Sequence, residues 1–259
     1  MILPFVKYHG TGNDFIIIDN RRKTVEPGDR KTIKHLCNRR FGIGADGLMM
    51  LYDHQELDFE MKYFNADGIE GTMCGNGGRC IVMFAKKLRL VVNRARFMTN
   101  DGVHTAMIND TSISLKMNDV KTIRKLLDGY FLDTGSPHYI TFRNEIKNID
   151  VFNEGRKLRN NQTFKPDGTN VNFVEVQKKR LLLRTYERGV ENETLSCGTG
   201  TIAAAIVSVY SGQIDSDNIT VQTGGGILNV SFTMTGKEYF SDIVLEGPAT
   251  LVFEGEIKI

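Results

Sequence analysis

The chain has 259 residues, long enough for one large domain or two modest ones. With 33 lysines and arginines against 31 aspartates and glutamates, the formal charge is +2 and gives no reason to expect a nucleic-acid or acidic-membrane partner. A hydrophobic content of 41% with 25% charged residues excludes both a disordered chain and a membrane-embedded one.

In chain order, Met1–His9 lacks the basic start and apolar stretch expected of a signal peptide and reads as a first strand. Short β-branched or aromatic runs predict further strands at Phe15–Ile18, Leu48–Tyr52, Phe59–Phe64, Val103–Ile108 and Ile113–Met117. Others follow at Phe173–Val176, Leu181–Tyr186, Ile219–Gln222, Ile227–Phe232, Ile243–Glu246 and Ala249–Phe253, with Gly224–Gly226 read as a turn. Helical spacing appears at Arg30–Arg40, Asn76–Leu88, Asp150–Asn160 and Gly198–Tyr210. The longest low-polarity run, Ile202 to Tyr210, falls far short of the ~20 residues of a membrane span, so a cytoplasmic protein is expected. Four sparse cysteines, Cys37, Cys74, Cys80 and Cys197, are expected to remain thiols there.

An internal echo suggests the domain plan. Met73-Cys74-Gly75-Asn76-Gly77-Gly78-Arg79 is answered by Ser196-Cys197-Gly198-Thr199-Gly200-Thr201, 123 residues on, and both lead into a strongly apolar helix. A helix apolar nearly all round is buried. The expected fold is therefore α/β (α+β): two related strand-rich halves, each with a buried central helix wrapped by strands. The halves are placed at residues 1–122 and 123–259, with the seam near residues 118–130 and the C-terminal strand able to return to the first half.

A thiol at a helix N-terminus sees unpaired N–H groups and the positive end of the helix dipole, which lower its pKa and poise it as a base. Two such thiols facing one substrate suit inversion of a carbon, because one removes a proton from one face while the other delivers a proton to the opposite face. Glycine, 26 residues or about 10% against an ordinary ~7%, then has a use: Gly75, Gly77, Gly78, Gly198 and Gly200 would leave room for a carboxylate at the helix mouths. The plainer alternative for any cysteine in an apolar segment is a small buried hydrophobe, and Cys37 and Cys80 are read that way. Neither Cys-x-x-Cys nor His-x-x-x-His spacing occurs, so no metal site is expected. Gly42-Ile-Gly44-Ala-Asp-Gly47 fits the dinucleotide pattern G-x-G-x-x-G, but it follows a helix and precedes a strand, the reverse of the required order. It is read instead as closing the first helix at Arg40.

Five motifs in order across nearly the whole chain, Tyr8-His-Gly-Thr-Gly-Asn-Asp-Phe15, Asn65-Ala-Asp-Gly68, Met73–Arg79, Tyr186-Glu-Arg-Gly189 and Ser196-Cys-Gly-Thr-Gly200, resemble the diaminopimelate epimerase family. The resemblance implies two pseudo-symmetric domains, each a barrel-like sheet around its helix, with the active site in the cleft between them. It also implies a homodimeric, cofactor-independent isomerase that interconverts LL- and meso-diaminopimelate in lysine and peptidoglycan precursor synthesis. It implies Cys74 and Cys197 as the catalytic pair, with His138 and Glu187 supporting them. It implies substrate contacts from Asn13, Asn65, Asn170, Glu187 and Arg188, and backbone clamps on the reacting carboxylate at Gly75-Asn76 and Gly198-Thr199. Read without the resemblance, Asn13 and Asn65 also suit turns, Glu187-Arg188 a solvated face, and His138 a turn. The chain departs from the family at Ser136, where many members have Asn, and at Gly47, where some have Gln. Ser136 keeps one hydroxyl for substrate; Gly47 offers no side chain. Other readings are a proline racemase or hydroxyproline epimerase, which typically carry His where this chain has Asn76, and a noncatalytic amino-acid-binding protein.

Overall fold

The computed structural model describes residues 2–178, 180–236 and 238–259. They fall into two units, Met1–Leu115 with Gly247–Ile259, and Lys116–Glu246. In the first, β1 (Ile2–Gly10) and β2 (Asn13–Asp19) form a hairpin, and α1 (Arg30–Cys37) leads to β3 (Gly47–Tyr52), parallel to β2. Antiparallel to β3 runs β4 (Phe59–Asn65), followed by the short β5 (Glu70–Gly71) and then α2 (Gly75–Lys87). Next come β6 (Arg94–Thr99), parallel to β4, and an antiparallel meander of β7 (Gly102–Asn109) and β8 (Ser112–Lys116).

The second unit repeats this order. A hairpin of β9 (Ile123–Leu126) and β10 (Gly129–Asp133) continues into β11 (Pro137–Phe142). Helix α3 (Val151–Arg159) then leads to β12 (Asn170–Gln177), parallel to β11. Antiparallel β13 (Arg180–Glu187), short β14 (Asn192–Thr194) and α4 (Gly198–Tyr210) come next. Then β15 (Asn218–Thr223) lies parallel to β13, with β16 (Gly226–Thr235) and β17 (Tyr239–Pro248) antiparallel in turn. The pairing senses from β10 to β17 match those from β1 to β8. The last strand, β18 (Thr250–Lys258), returns to pair antiparallel with β1. Among the described residues no helix is long and apolar enough to cross a membrane.

The second unit begins before the expected boundary at 122/123. Met117 and Val120 donate backbone hydrogen bonds to Ile243 and Phe240, which ties this stretch to the C-terminal strands of that unit. Helix α4 matches the expected range, and ten of its residues, Gly198 and Gly200–Ser208, are buried. Around it, Ile140, Val174, Leu181, Leu183, Val221 and Leu245 form a core at ~1.5–3 kcal/mol per buried aliphatic side chain. The opposite parity of the same strands, Tyr139, Val171, Phe173, Leu182 and Tyr186, packs with Val151 of α3. Gly155 lets α3 lie down there, because a Cβ on it would meet Tyr186 Cβ at 2.4 Å.

Helix α1 ends at Cys37, three residues before the expected Arg40. Asn38 turns extended, and the N–H groups of Ile43 and Gly44 close back on the Leu36 carbonyl. Gly42 must be glycine, since a Cβ would lie 2.0 Å from the His35 carbonyl oxygen, and Gly44 takes φ +82°. These residues thus form the turn between helix and strand that the reversed dinucleotide pattern predicted.

Candidate active site

Each unit presents one cysteine as the N-cap of its buried helix. Cys74 is extended (φ −104°, ψ 144°), and its Sγ accepts from the Gly77 N–H at 3.2 Å. Cys197 is likewise extended (φ −122°, ψ 112°), and its carbonyl accepts from Thr201 N–H and Oγ1 at 2.9 and 2.8 Å. The other two cysteines are buried in apolar surroundings: burial pushes the Cys37 thiol up to about 12 and raises that of Cys80 too, so neither is a nucleophile at neutral pH.

In the first unit, strand parity sends Asn13 of β2, Gly47 of β3 and Asn65 of β4 to the same end and face as Phe15 and Met49, which lie against Gly77 of α2. Asn13 Nδ2 donates to Asp46 Oδ2 at 2.7 Å, and its Oδ1 accepts from Asn76 Nδ2 at 3.3 Å. Asp46 is held by Arg39 at 2.7 Å, and Arg39 also pairs with Asp14 at 2.6 Å. Burial opposes the charge of Asp14, but hydrogen bonds and charge from Arg39 and Lys7 outweigh it and hold the carboxyl well below the usual range. The space at Gly47 is taken by Tyr63, whose ring would lie 2.5 Å from a Cβ there and whose hydroxyl donates to Asn65 Oδ1 at 3.0 Å. Gly78 packs under Leu115 and Met73, not toward an open mouth.

Behind Cys74, the first turn of α2 covers a fully buried arginine that the sequence motif contained without suggesting a role. Arg79 donates to the Gly75 carbonyl (3.2 Å), Asn76 Oδ1 (3.0 Å), Thr11 Oγ1 (3.4 Å) and the Pro248 carbonyl (3.3 Å). Burial lowers its pKa, while the Cys80 and Cys74 sulfurs act in the opposite direction. It holds the orientation of Asn76, whose Nδ2 then serves Asn13.

In the second unit, parallel register sets His138 of β11 beside Asn170 of β12. Ser136 Oγ lies 3.0 Å from His138 Nε2 and 3.2 Å from Thr199 Oγ1, while Cys197 Sγ lies 3.5 Å from Thr199 Oγ1. Asn170 Oδ1 accepts from the Arg188 N–H at 2.8 Å, and its Nδ2 donates to the Pro137 carbonyl at 3.0 Å. Glu187 Oε2 accepts from Thr194 Oγ1 at 2.9 Å, and Arg188 reaches the Asp167 carbonyl at 3.4 Å. His138 is fully buried; burial first, then the Arg188 charge, depress its pKa to about 3. It is neutral at working pH. Asn172 and Thr185, which complete this network, were missed in the sequence, although i, i+2 spacing from Asn170 puts Asn172 on the same face. Gly200 serves them: a Cβ there would lie 2.6 Å from Asn172 Oδ1 and 3.2 Å from His138 Cε1. Ligand access is not the reason for that glycine.

The fold, with a strand-wrapped helix present twice, is shared with solved structures of other proteins. A hydroxyproline epimerase from Agrobacterium vitis superposes with TM-score 0.69 at 13% identity, over 99% of this chain and 92% of that one. A phenazine biosynthesis protein of the PhzF family from Bacillus anthracis gives 0.80 at 15% identity over the whole of both chains. At the sequence level, the family profile for diaminopimelate epimerase matches residues 5–123 and 130–252. The diaminopimelate epimerase of Flavobacterium psychrophilum is 50% identical over 98% of this chain and 100% of its own length. That of Chlorobaculum tepidum is 43% identical over 96% and 99%. The chain belongs to the diaminopimelate epimerase family.

Proposed function

We propose that this chain is a diaminopimelate epimerase in which Cys74 and Cys197 act as base and acid at one α-carbon. A thiolate takes the α-proton, the negative charge spreads onto the adjoining carboxylate, and the second thiol returns a proton to the opposite face. The N–H groups at the start of α2 and α4 lack acceptors within their helices and suit that developing charge. Asn13, Asn65, Asn170, Ser136, Glu187 and Arg188 are read as contacts for the rest of the substrate, neutral amides serving ammonium and carboxylate alike. The chemistry requires the two thiols to address opposite faces of one carbon and needs no cofactor. The reading extends to a cytoplasmic homodimer supplying meso-diaminopimelate for lysine and peptidoglycan precursors.

The observation that carries this reading is the paired N-cap cysteine, one per unit, within a family named for this reaction. Incubation with LL-diaminopimelate in heavy water is expected to yield meso product carrying α-deuterium. Deuterium exchange into proline or hydroxyproline but not into diaminopimelate would overturn it.

A further inference from the structure

The polar ends of β11, β12 and β13 hold a group of side chains whose hydrogens can be assigned one at a time. Asn172, fully buried, has a determined amide orientation: Nδ2 donates to the Tyr139 carbonyl at 3.2 Å, and Oδ1 accepts from Thr185 Oγ1 at 2.9 Å. Its other Nδ2 hydrogen therefore faces His138 Nδ1 at 3.0 Å, and that nitrogen must accept. A neutral imidazole accepting at Nδ1 carries its proton on Nε2, where it is shared between Thr199 Oγ1 at 2.9 Å and Ser136 Oγ at 3.0 Å, so that Ser136 finds no acceptor in the imidazole. Ser136 Oγ, receiving from Asn170 Nδ2 at 3.3 Å, has Thr199 Oγ1 as an acceptor at 3.2 Å. Two donors thus converge on the threonine oxygen, and its own proton is directed at Cys197 Sγ, 3.5 Å away.

We propose that Asn172 is a positioning residue: by holding His138 as the Nε2–H tautomer, it turns the Thr199 hydroxyl proton toward Cys197 and favours the thiolate of that residue. This rests on the reading of Cys197 as a reacting thiol. Thr185 locks the asparagine, and the bare Cα of Gly200 leaves the space in which Asn172 and His138 meet.

NMR of protein with nitrogen-labelled histidine, the His138 signals assigned by comparison with His138→Gln, reads the tautomer directly. The wild type is expected to carry its proton on Nε2. Asn172→Asp, which offers Nδ1 an acceptor, is expected to move the proton to Nδ1. It should also slow alkylation of Cys197, followed by peptide mass spectrometry, about tenfold, as for loss of one charge-assisted hydrogen bond. Thr199→Val should slow alkylation similarly without moving the tautomer, and Thr199→Ser should restore it. A wild-type His138 protonated on Nδ1 overturns the proposal, as does an unchanged tautomer in folded Asn172→Asp. Unchanged Cys197 alkylation in Thr199→Val overturns it equally, whether or not Asn172→Asp folds. None of these measurements uses an amino-acid substrate, so their outcome is separate from that of the heavy-water experiment.

Discussion

Replacing Gly200 by alanine adds one methyl group to the first turn of α4, at a point where its neighbours have no room to move. The new Cβ would lie 2.6 Å from Asn172 Oδ1, well inside the ordinary contact distance of about 3.5–4 Å. Asn172 cannot retreat without breaking its bonds to Thr185, Tyr139 and His138, all of them buried. Overpacking of this kind costs about 1–3 kcal/mol, and a lost buried hydrogen bond about 1 more. Alanine recovers at most ~1 kcal/mol through helix propensity. The net expectation is a loss of about 1–3 kcal/mol. Gly77 holds the matching place in the first unit, but its added Cβ would meet the Cys74 and Met49 sulfurs at 3.2 Å and the Phe15 ring at 3.6 Å. Met49 has a flexible side chain that can yield, so Gly77→Ala is expected within ~0.5 kcal/mol of wild type, overpacking being offset by propensity. Urea unfolding followed by circular dichroism measures both, through a shift in midpoint at constant slope. Equal stability of Gly200→Ala and Gly77→Ala would refute the argument that the Asn172–His138 pair demands glycine.

Cys74→Ala and Cys197→Ala are each expected to abolish epimerisation in a coupled assay; near-normal turnover in either contradicts the two-base account. The His138 pKa is about 3 in the folded chain against ~6.5 unfolded, so below pH ~6.5 the unfolded chain binds a proton the native one refuses. Native stability from this residue is therefore intact above that pH and falls as pH drops toward 3, by an amount on the order of 5 kcal/mol in the limit. Denaturant unfolding of wild type and His138→Gln at neutral and mildly acidic pH should show the wild type losing more; parallel losses would show that His138 titrates normally. Arg79→Lys keeps the charge but cannot reach the four oxygens around the guanidinium, so a loss on the order of 3 kcal/mol is expected in the same unfolding assay. An Arg79→Lys protein as stable as wild type would mean those acceptors find water.

Helix α4 was legible to the residue because Ile202, the alanines 203–205, Ile206 and Val207 leave no polar face, and Cys197-Gly198 marks where the helix begins. Strand β6 was missed although Ala95, Phe97 and Thr99 alternate inward between exposed or half-exposed partners; the arginines at 94 and 96 masked a period of two. Strand β11 was missed because Ser136-Pro137 reads as a turn, and with it went the reason His138 is buried. The role of Arg79 was out of reach of local pattern, since Thr11 and Pro248 come from distant parts of the chain. The Gly224–Gly226 run resolves into a tight turn between β15 and β16, with Gly226 at φ +142° and the Gly225 N–H on the Leu195 carbonyl, two residues before Cys197.

The return of β18 to β1 has a consequence for how the protein is made. The second unit is one contiguous stretch, whereas the first is completed only by a strand made after the whole of the second. Its strand β1 pairs from Ile2↔Lys258 to His9↔Thr250, with a partner made on the order of ten seconds or more later at ordinary synthesis rates. During that interval one edge of β1 is an open template for another strand, flanked by Leu3 and Phe5 side chains that are buried in the finished fold. Newly made chains are therefore most exposed to aggregation and proteolysis through their N-terminal half, and a truncation that removes β18 leaves that exposure permanent.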